Sequence, residues 1–253
     1  MDRSRSHPNL ATHAMTTIMA TSNYWRETPP QAATPDIDPV VDLVFGIRGR
    51  QIPTDHAWPL SEAITRVLPW LEQQEQAGIH LIHGAQSSNG WQQPPDDGTI
   101  ELSARTRFVL RIPSASVDAA RALTGQTLDI SGYSIDLLQA RVRALLPLTT
   151  VLARHVRAGD SSDTESAFLE DAVNWLSDLS ITPRKMLCGR AHRLNAPQGA
   201  ILTRSLLLAE LTPGEAATLQ QQGLGQGRLM GCGIFMPYKS IDAVYEPRSN
   251  IND

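Results

Sequence analysis

The sequence predicts an α+β protein made of two tandem ferredoxin-like (RRM-like) βαββαβ domains. Three observations predict it. The order strand, helix, strand, strand, helix, strand can be read twice along the chain. Apolar residues switch between alternation and helical spacing, as strands and amphipathic helices require. Glycines, prolines and capping residues mark most of the switches. The 253 residues are enough for two small domains, each with its own core.

In the first half, residues 40–47 (VVDLVFGI) are apolar and β-branched and form a strand. Arg48-Gly49-Arg50-Gln51-Ile52-Pro53 reads as a loop. Leu60, Ile64, Val67, Leu68 and Leu71 recur at helical spacing, so a helix is predicted over 60–76, kinked or restarted at Pro69 and ended by Gly78. Residues 79–83 form a short strand, 89–98 a Pro/Gly/Asp loop, and 105–112 a strand with Phe108, Leu110 and Ile112 on one side. A helix over 114–123, capped by Ser114 or Ser116, ends at Gly125. A strand or hairpin over 127–140 turns at Gly132-Tyr133.

The second half repeats the order. Residues 142–156 are mostly strand, interrupted by Pro147, and Phe168, Val173, Leu176 and Leu179 mark a helix over 163–179. Residues 185–194 and 200–208 make a hairpin through Ala196-Pro197-Gln198-Gly199. Thr212 caps a helix with Pro213 in its first turn and Gly223 at its end. Residues 234–236 are the last strand. The predicted organisation is a disordered leader over 1–38, domains over 39–140 and 141–240, and a polar tail over 241–253.

Composition narrows the function classes. The formal net charge is -4, so a uniformly basic coat for nucleic acid is excluded while a local basic patch is not. Cys188 and Cys232 are far apart and form no CxxC, so neither a disulfide scaffold nor a zinc site is indicated, and a reducing cytoplasm fits. No apolar run reaches spanning length, so no membrane partner is expected. No cofactor motif is present. His80 and His83 lie three apart in a presumed strand, on opposite faces, and cannot both grip one metal.

The most distinctive stretch runs from 223 to 237. Gly223, Gly225, Gly227, Gly231 and Gly233 crowd into it, with Arg228 among them. Glycine lets the backbone take positive φ and lets a ligand approach its amides. Such amides beside an arginine can hold phosphates. The alternative is a tight loop between the last helix and the last strand. The glycines precede a strand rather than a helix, which rules out a Walker loop and a dinucleotide fingerprint.

Gly231-Cys232-Gly233-Ile234-Phe235-Met236-Pro237 has the form GxGxFxP. With it go Val41-Asp42-Leu43-Val44-Phe45-Gly46-Ile47-Arg48-Gly49-Arg50, Ile52-Pro53-Thr54-Asp55-His56, Leu60, Ala63, Gly125-Gln126-Thr127-Leu128-Asp129-Ile130 and Arg141-Val142-Arg143. This set resembles the CRISPR-associated endoribonucleases called Cas-six, nearest the type I-MYXAN variant, over residues 40–237. The resemblance implies binding of a CRISPR repeat RNA hairpin and metal-independent cleavage of precursor crRNA by 2′-OH attack. It implies retention of the crRNA beside effector-complex subunits of the backbone and Cas-five type, with a homodimer as a further partner. It also implies a catalytic role for His56, which sits between the first strand and first helix. An imidazole takes a 2′-OH proton near neutral pH, Arg50 stabilises charge on the phosphorane, and Asp55 orients the ring or caps the turn.

RNA contacts are expected from Arg184, Lys185, Arg190, His192, Arg193 and Arg204, because 184–204 holds no acidic residue. The glycine loop (Gly223, Gly225, Gly227, Arg228, Gly231, Gly233) is expected to add to them. Arg105, Arg107 and Arg111 alternate on one strand as a second patch. His155 reads as a strand surface residue. Trp58 and Trp91 are candidates for base stacking. The competing functions are a non-cleaving crRNA-binding subunit and a metabolic protein on the same fold, and the second leaves the glycine loop unexplained.

Overall fold

The computed structural model describes residues 39–84, 98–159 and 164–238. The leader, the loop containing Trp91 and the C-terminal tail lie outside the described residues.

Two antiparallel sheets carry the chain. In the first half, β1 (Val40–Arg48) leads through the short β2 (Gln51–Pro53) into helix α1 (Ala57–Val67). A 3-10 turn (Pro69–Gln73) follows, started by Pro69. Then come β3 (Gly78–Ile79), β4 (Thr99–Glu101), β5 (Arg107–Pro113), the short helix α2 (Val117–Ala120) between two 3-10 turns, β6 (Thr127–Ile130) and β7 (Tyr133–Ala144). The sheet order is β3-β5-β1-β7-β6. Without β6, which is a hairpin extension of β7, this is the ferredoxin-like order. Alternation puts Leu43, Phe45 and Ile47 of β1 on the helix face, where they meet Leu60, Ile64, Phe108 and Leu110 in one core. Phe45 and Phe108 are register partners, with ring centroids 5.6 Å apart.

The second half repeats the plan with β8 (Val151–Arg157), α3 (Glu165–Asp178), β9 (Lys185–Leu194), β10 (Ile201–Ala209), α4 (Pro213–Gln222) and β11 (Met236–Pro237), in sheet order β11-β8-β10-β9. Thr164 caps α3 through its hydroxyl. Thr212 and Glu215 form a full capping box on α4, with Pro213 in its first turn. Phe168, Ala172 and Leu176 of α3 pack on Val151, Ala153, Leu206 and Leu208 of the sheet.

Several readings of the sequence need correction, among them the cap at 114–116, since neither Ser114 nor Ser116 hydrogen-bonds the start of its helix through its side chain. The strand expected over 79–83 pairs only at Gly78 and Ile79. Beyond them the His80 amide still donates to Val109 O of β5, and the Ile82 amide donates to the His56 ring instead of to the sheet. His80 and His83 therefore line one pocket rather than opposite faces. The strand expected over 142–156 is two strands, since β7 pairs with β1 through Ala144 and β8 starts at Val151, past Pro147. Arg111 is not part of a surface patch but fully buried. His155 is buried, at 8% relative exposure, not at the surface.

Candidate functional site

The glycine loop turns between α4 and β11 and closes on itself. Leu224 N–H donates to Gly233 O, Met230 and Cys232 N–H to Gly227 O, and Gly233 N–H to His155 O. Gly233 has φ +66°, and a Cβ there would run into the Leu224 carbonyl. The loop is therefore a tight knot bound to β8, exposed only at Gly225 and Gln226. The Arg228 guanidinium, expected to contact phosphate, is buried and turned inward. Nε donates to Ala77 O (3.2 Å) and Nη2 to Gln76 O (2.9 Å) and Gln221 O (3.1 Å). Nη1 fills the space that a side chain at Gly223 would need. Burial pulls its pKa down to about 10, so it stays charged at neutral pH. It pins the loop to the first half.

His56 sits where β2 hands over to α1. Pairing of β2 with β4 and the Thr54 N–H···Gly98 O bond hold this corner. The His56 carbonyl starts the helix by accepting from Leu60 N–H. Its ring is 2% exposed. Nδ1 lies 2.9 Å from Pro53 O and 3.0 Å from Thr54 O, both acceptors, so it carries the proton. Nε2 accepts from Ile82 N–H at 3.0 Å. Both nitrogens are thus engaged by backbone, and burial holds the ring's pKa below its ordinary value. In this geometry the lone pair of His56 Nε2 is taken up by the Ile82 amide. Asp55 turns to a different partner. Its carboxylate accepts from Asn195 Nδ2 (2.6 Å) and Asn195 N–H (3.4 Å), tying the tip of the β9-β10 hairpin to the start of α1.

Beside this corner a pocket opens, lined by His80, His83, Arg154, His155, Gly231 and Met236 among others. Both Arg154 and His155 reach it because of a β-bulge, at which these two residues of β8 oppose Ser205 alone on β10. His155 Nδ1 lies 3.1 Å from Thr203 Oγ1, and that hydroxyl donates to His192 O at 3.3 Å. The hydroxyl proton is therefore spent, and His155 donates from Nδ1, which leaves Nε2 as its acceptor. The His155 and His192 rings meet edge-on, with centroids 5.7 Å apart. Burial lowers the His155 pKa to about 4, with nearby His192 and Arg154 adding to the effect. His83 is exposed, and desolvation and Arg154 push its pKa down. Arg154 is half-buried, and burial lowers its pKa to about 10.

The expected basic hairpin is divided. At its base Arg184 Nη1 donates to Glu210 O (2.8 Å) and Glu215 Oε2 (3.1 Å), and Lys185 pairs with Glu210. Arg204 lies across β9, with Nη1 3.4 Å from Gly189 O. Arg190 and Arg193, nearer the tip, are exposed, and His192 is half-buried. Arg50 is exposed on the turn between β1 and β2. Sequence reading missed Arg154 and Thr203. An Arg-His pair on a strand was the visible signal, but the bulge that turns both inward was not. Among the described residues no three His, Cys, Asp or Glu side chains converge as metal ligands, and no helix is long and apolar enough to cross a membrane.

Two ferredoxin-like units are joined through a glycine-rich knot, with a histidine- and arginine-lined pocket at the join, the architecture of the repeat-associated CRISPR proteins whose family model matches this chain. The family model described as "Cas6 Crispr" matches residues 41–240, and the chain belongs to that family. It is 28% identical over 197 residues to the CRISPR-associated endonuclease Cas6 of Myxococcus xanthus (strain DK1622), spanning 78% of this chain and 81% of that protein. Among solved structures, a CRISPR associated protein Cas6 aligns with TM-score 0.54 at 10% identity, covering 79% of this chain and 100% of the other. A RAMP protein binding different RNA substrates aligns with TM-score 0.55 at 12% identity, with the same coverages. A Cas6-related protein from Pyrococcus furiosus aligns with TM-score 0.52 at 12% identity, covering 78% and 97%. At such identities these structures bear on the fold alone.

Proposed function

We propose that this chain is a CRISPR repeat-specific endoribonuclease that binds the repeat hairpin of precursor crRNA, cuts it without a metal, and stays with the mature crRNA in an effector complex. One observation carries the reading: in a chain of this family, His83, His155 and Arg154 meet in one pocket against the glycine knot. His83, an exposed histidine of this pocket whose pKa is pushed down to about 3, is neutral at neutral pH and takes the 2′-OH proton in this reading. The 2′ oxygen then attacks the adjacent phosphorus, the P–O5′ bond breaks, and the cut leaves a 2′,3′-cyclic phosphate and a 5′-hydroxyl, the leaving oxygen taking its proton from solvent. Arg154 offsets charge on the phosphorane. Arg190, Arg193 and His192 contact the RNA.

The test is cleavage of a labelled repeat RNA in EDTA under single-turnover conditions. We expect undiminished cutting, no cutting of RNA with a 2′-deoxy scissile nucleotide, and loss of about a hundredfold or more with His83→Ala. Cleavage that needs a divalent ion, or that persists on the deoxy substrate, overturns the mechanism. Tight binding without any cutting makes the chain a non-cleaving crRNA subunit.

A further inference from the structure

We infer that His56 is a positioning residue: its ring is the strut that holds the 80–83 segment, and with it His83, in place over the pocket. The inference rests on the reading of His83 as the base.

Residues 80–84 follow the two-residue strand β3 and belong to no helix or strand. Three fastenings hold the segment. The His80 amide donates to Val109 O at 3.0 Å. Leu81 packs against the junction cluster of Ala57, Leu194, Met230 and Cys232, and stands where a side chain at Gly231 would be. The Ile82 amide, one residue before His83, donates to His56 Nε2. A buried amide with no acceptor costs about 1–3 kcal/mol, so removing the imidazole leaves Ile82 unpaired or lets the segment move. The other end of the imidazole is clamped by the carbonyls of Pro53 and Thr54. The ring is thus a rigid bar, proton at Nδ1 and acceptor at Nε2, between the β2-α1 corner and the residue before His83. A shift of about 1 Å in a reacting group is enough for a hundredfold loss of rate. Loss of activity in His56→Ala therefore does not identify a base.

Glutamine separates the two roles. Its Oε1 reaches the Nε2 position and accepts from Ile82, but an amide takes no proton from a 2′-OH. We expect His56→Gln to cut within about fivefold of wild type with an unaltered pH profile and RNA affinity, and His56→Ala to lose most of the cleavage rate at similar affinity. We expect His83→Gln to lose about a hundredfold or more. Nitrogen-15 NMR of the wild-type ring should report a proton on Nδ1 and a bare Nε2, with no change on adding 2′-deoxy repeat RNA. His56→Gln as inactive as His83→Gln, in a folded protein, overturns the inference and leaves the enzyme reading standing. So does a His56 ring whose protonation follows bound RNA. A wild-type protein that binds repeat RNA and never cuts it ends both.

Discussion

Asp42 and Arg111 face each other across β1 and β5 and form a two-pronged ion pair, with Nε to Oδ1 at 2.8 Å and Nη2 to Oδ2 at 3.2 Å. Arg111 has no exposed surface. Its remaining nitrogen donates to Phe235 O (2.7 Å) and Gln220 O (3.0 Å), so one guanidinium joins the first sheet to the backbone of the second half. Arg143 adds a third contact to the Asp42 carboxylate at 2.9 Å. Burial opposes ionisation of Asp42, but the His80 ring and the Arg111 charge outweigh it and hold the carboxyl well below its usual range.

Removing one partner of such a pair strands the other. Arg111→Met should cost about 3–5 kcal/mol in urea unfolding, and the double variant Asp42→Leu/Arg111→Met should recover much of it. A double variant as unstable as the single would show that the contacts to Gln220 and Phe235 carry the loss.

The buried histidines set an acid limit to stability. His155 is neutral in the folded protein down to pH about 4 but titrates near 6.5 when unfolded. Between those values the unfolded chain binds more protons, so stability rises with pH. The contribution is complete above about pH 6.5 and is lost as pH falls through 4; His56 adds to it in the same direction. Melting temperature should therefore fall as pH drops from 7 to 4, and less steeply in His155→Gln. Identical slopes would count against a buried neutral His155.

The glycine knot should discriminate sharply between neighbouring positions. A Cβ at Gly225 meets nothing nearer than 3.8 Å, so Gly225→Ala should cost about 1–2 kcal/mol for its positive φ. At Gly233 the Leu224 carbonyl blocks any side chain, and Gly233→Ala should disrupt the knot and abolish cleavage. Thermal melts and single-turnover rates of the two variants check this.

Salt titrations should tell the hairpin's two ends apart. Replacing Arg190 and Arg193 with alanine should lower the slope of log affinity for repeat RNA against log salt by about 1–2. Arg184→Ala should leave the slope unchanged, because Arg184 is already paired with Glu215. Equal slopes for both variants would place the RNA elsewhere.

Much of the fold was legible because it is written locally. Alternation in 40–47, helical spacing from Leu60 onward, the Thr212-Pro213 start of α4 and the turn at Gly132 all depend on near neighbours. Ser131 and Gly132, both at positive φ, make the two-residue turn between β6 and β7. Where neighbours decided less, the reading slipped. Nothing local says that the Ile82 amide turns from the sheet, because its acceptor is a ring that lies 26 residues earlier in the chain.

The site was less legible for the same reason. A histidine between the first strand and first helix looks available until its two nitrogens are traced to Pro53, Thr54 and Ile82. Arg228 looks like a phosphate ligand until it is found turned toward Gln76 and Ala77. By itself the sequence determined the two βαββαβ units, the Thr212 cap of α4 and the presence of a glycine-rich loop, since these follow from periodicity and backbone freedom over a few residues. The tertiary structure alone decided what each histidine lies against and which of them line the pocket. Burial and hydrogen-bond partners, which set a ring's tautomer and charge, come from segments as far apart as β2, β8 and β10, brought together only when the core closes.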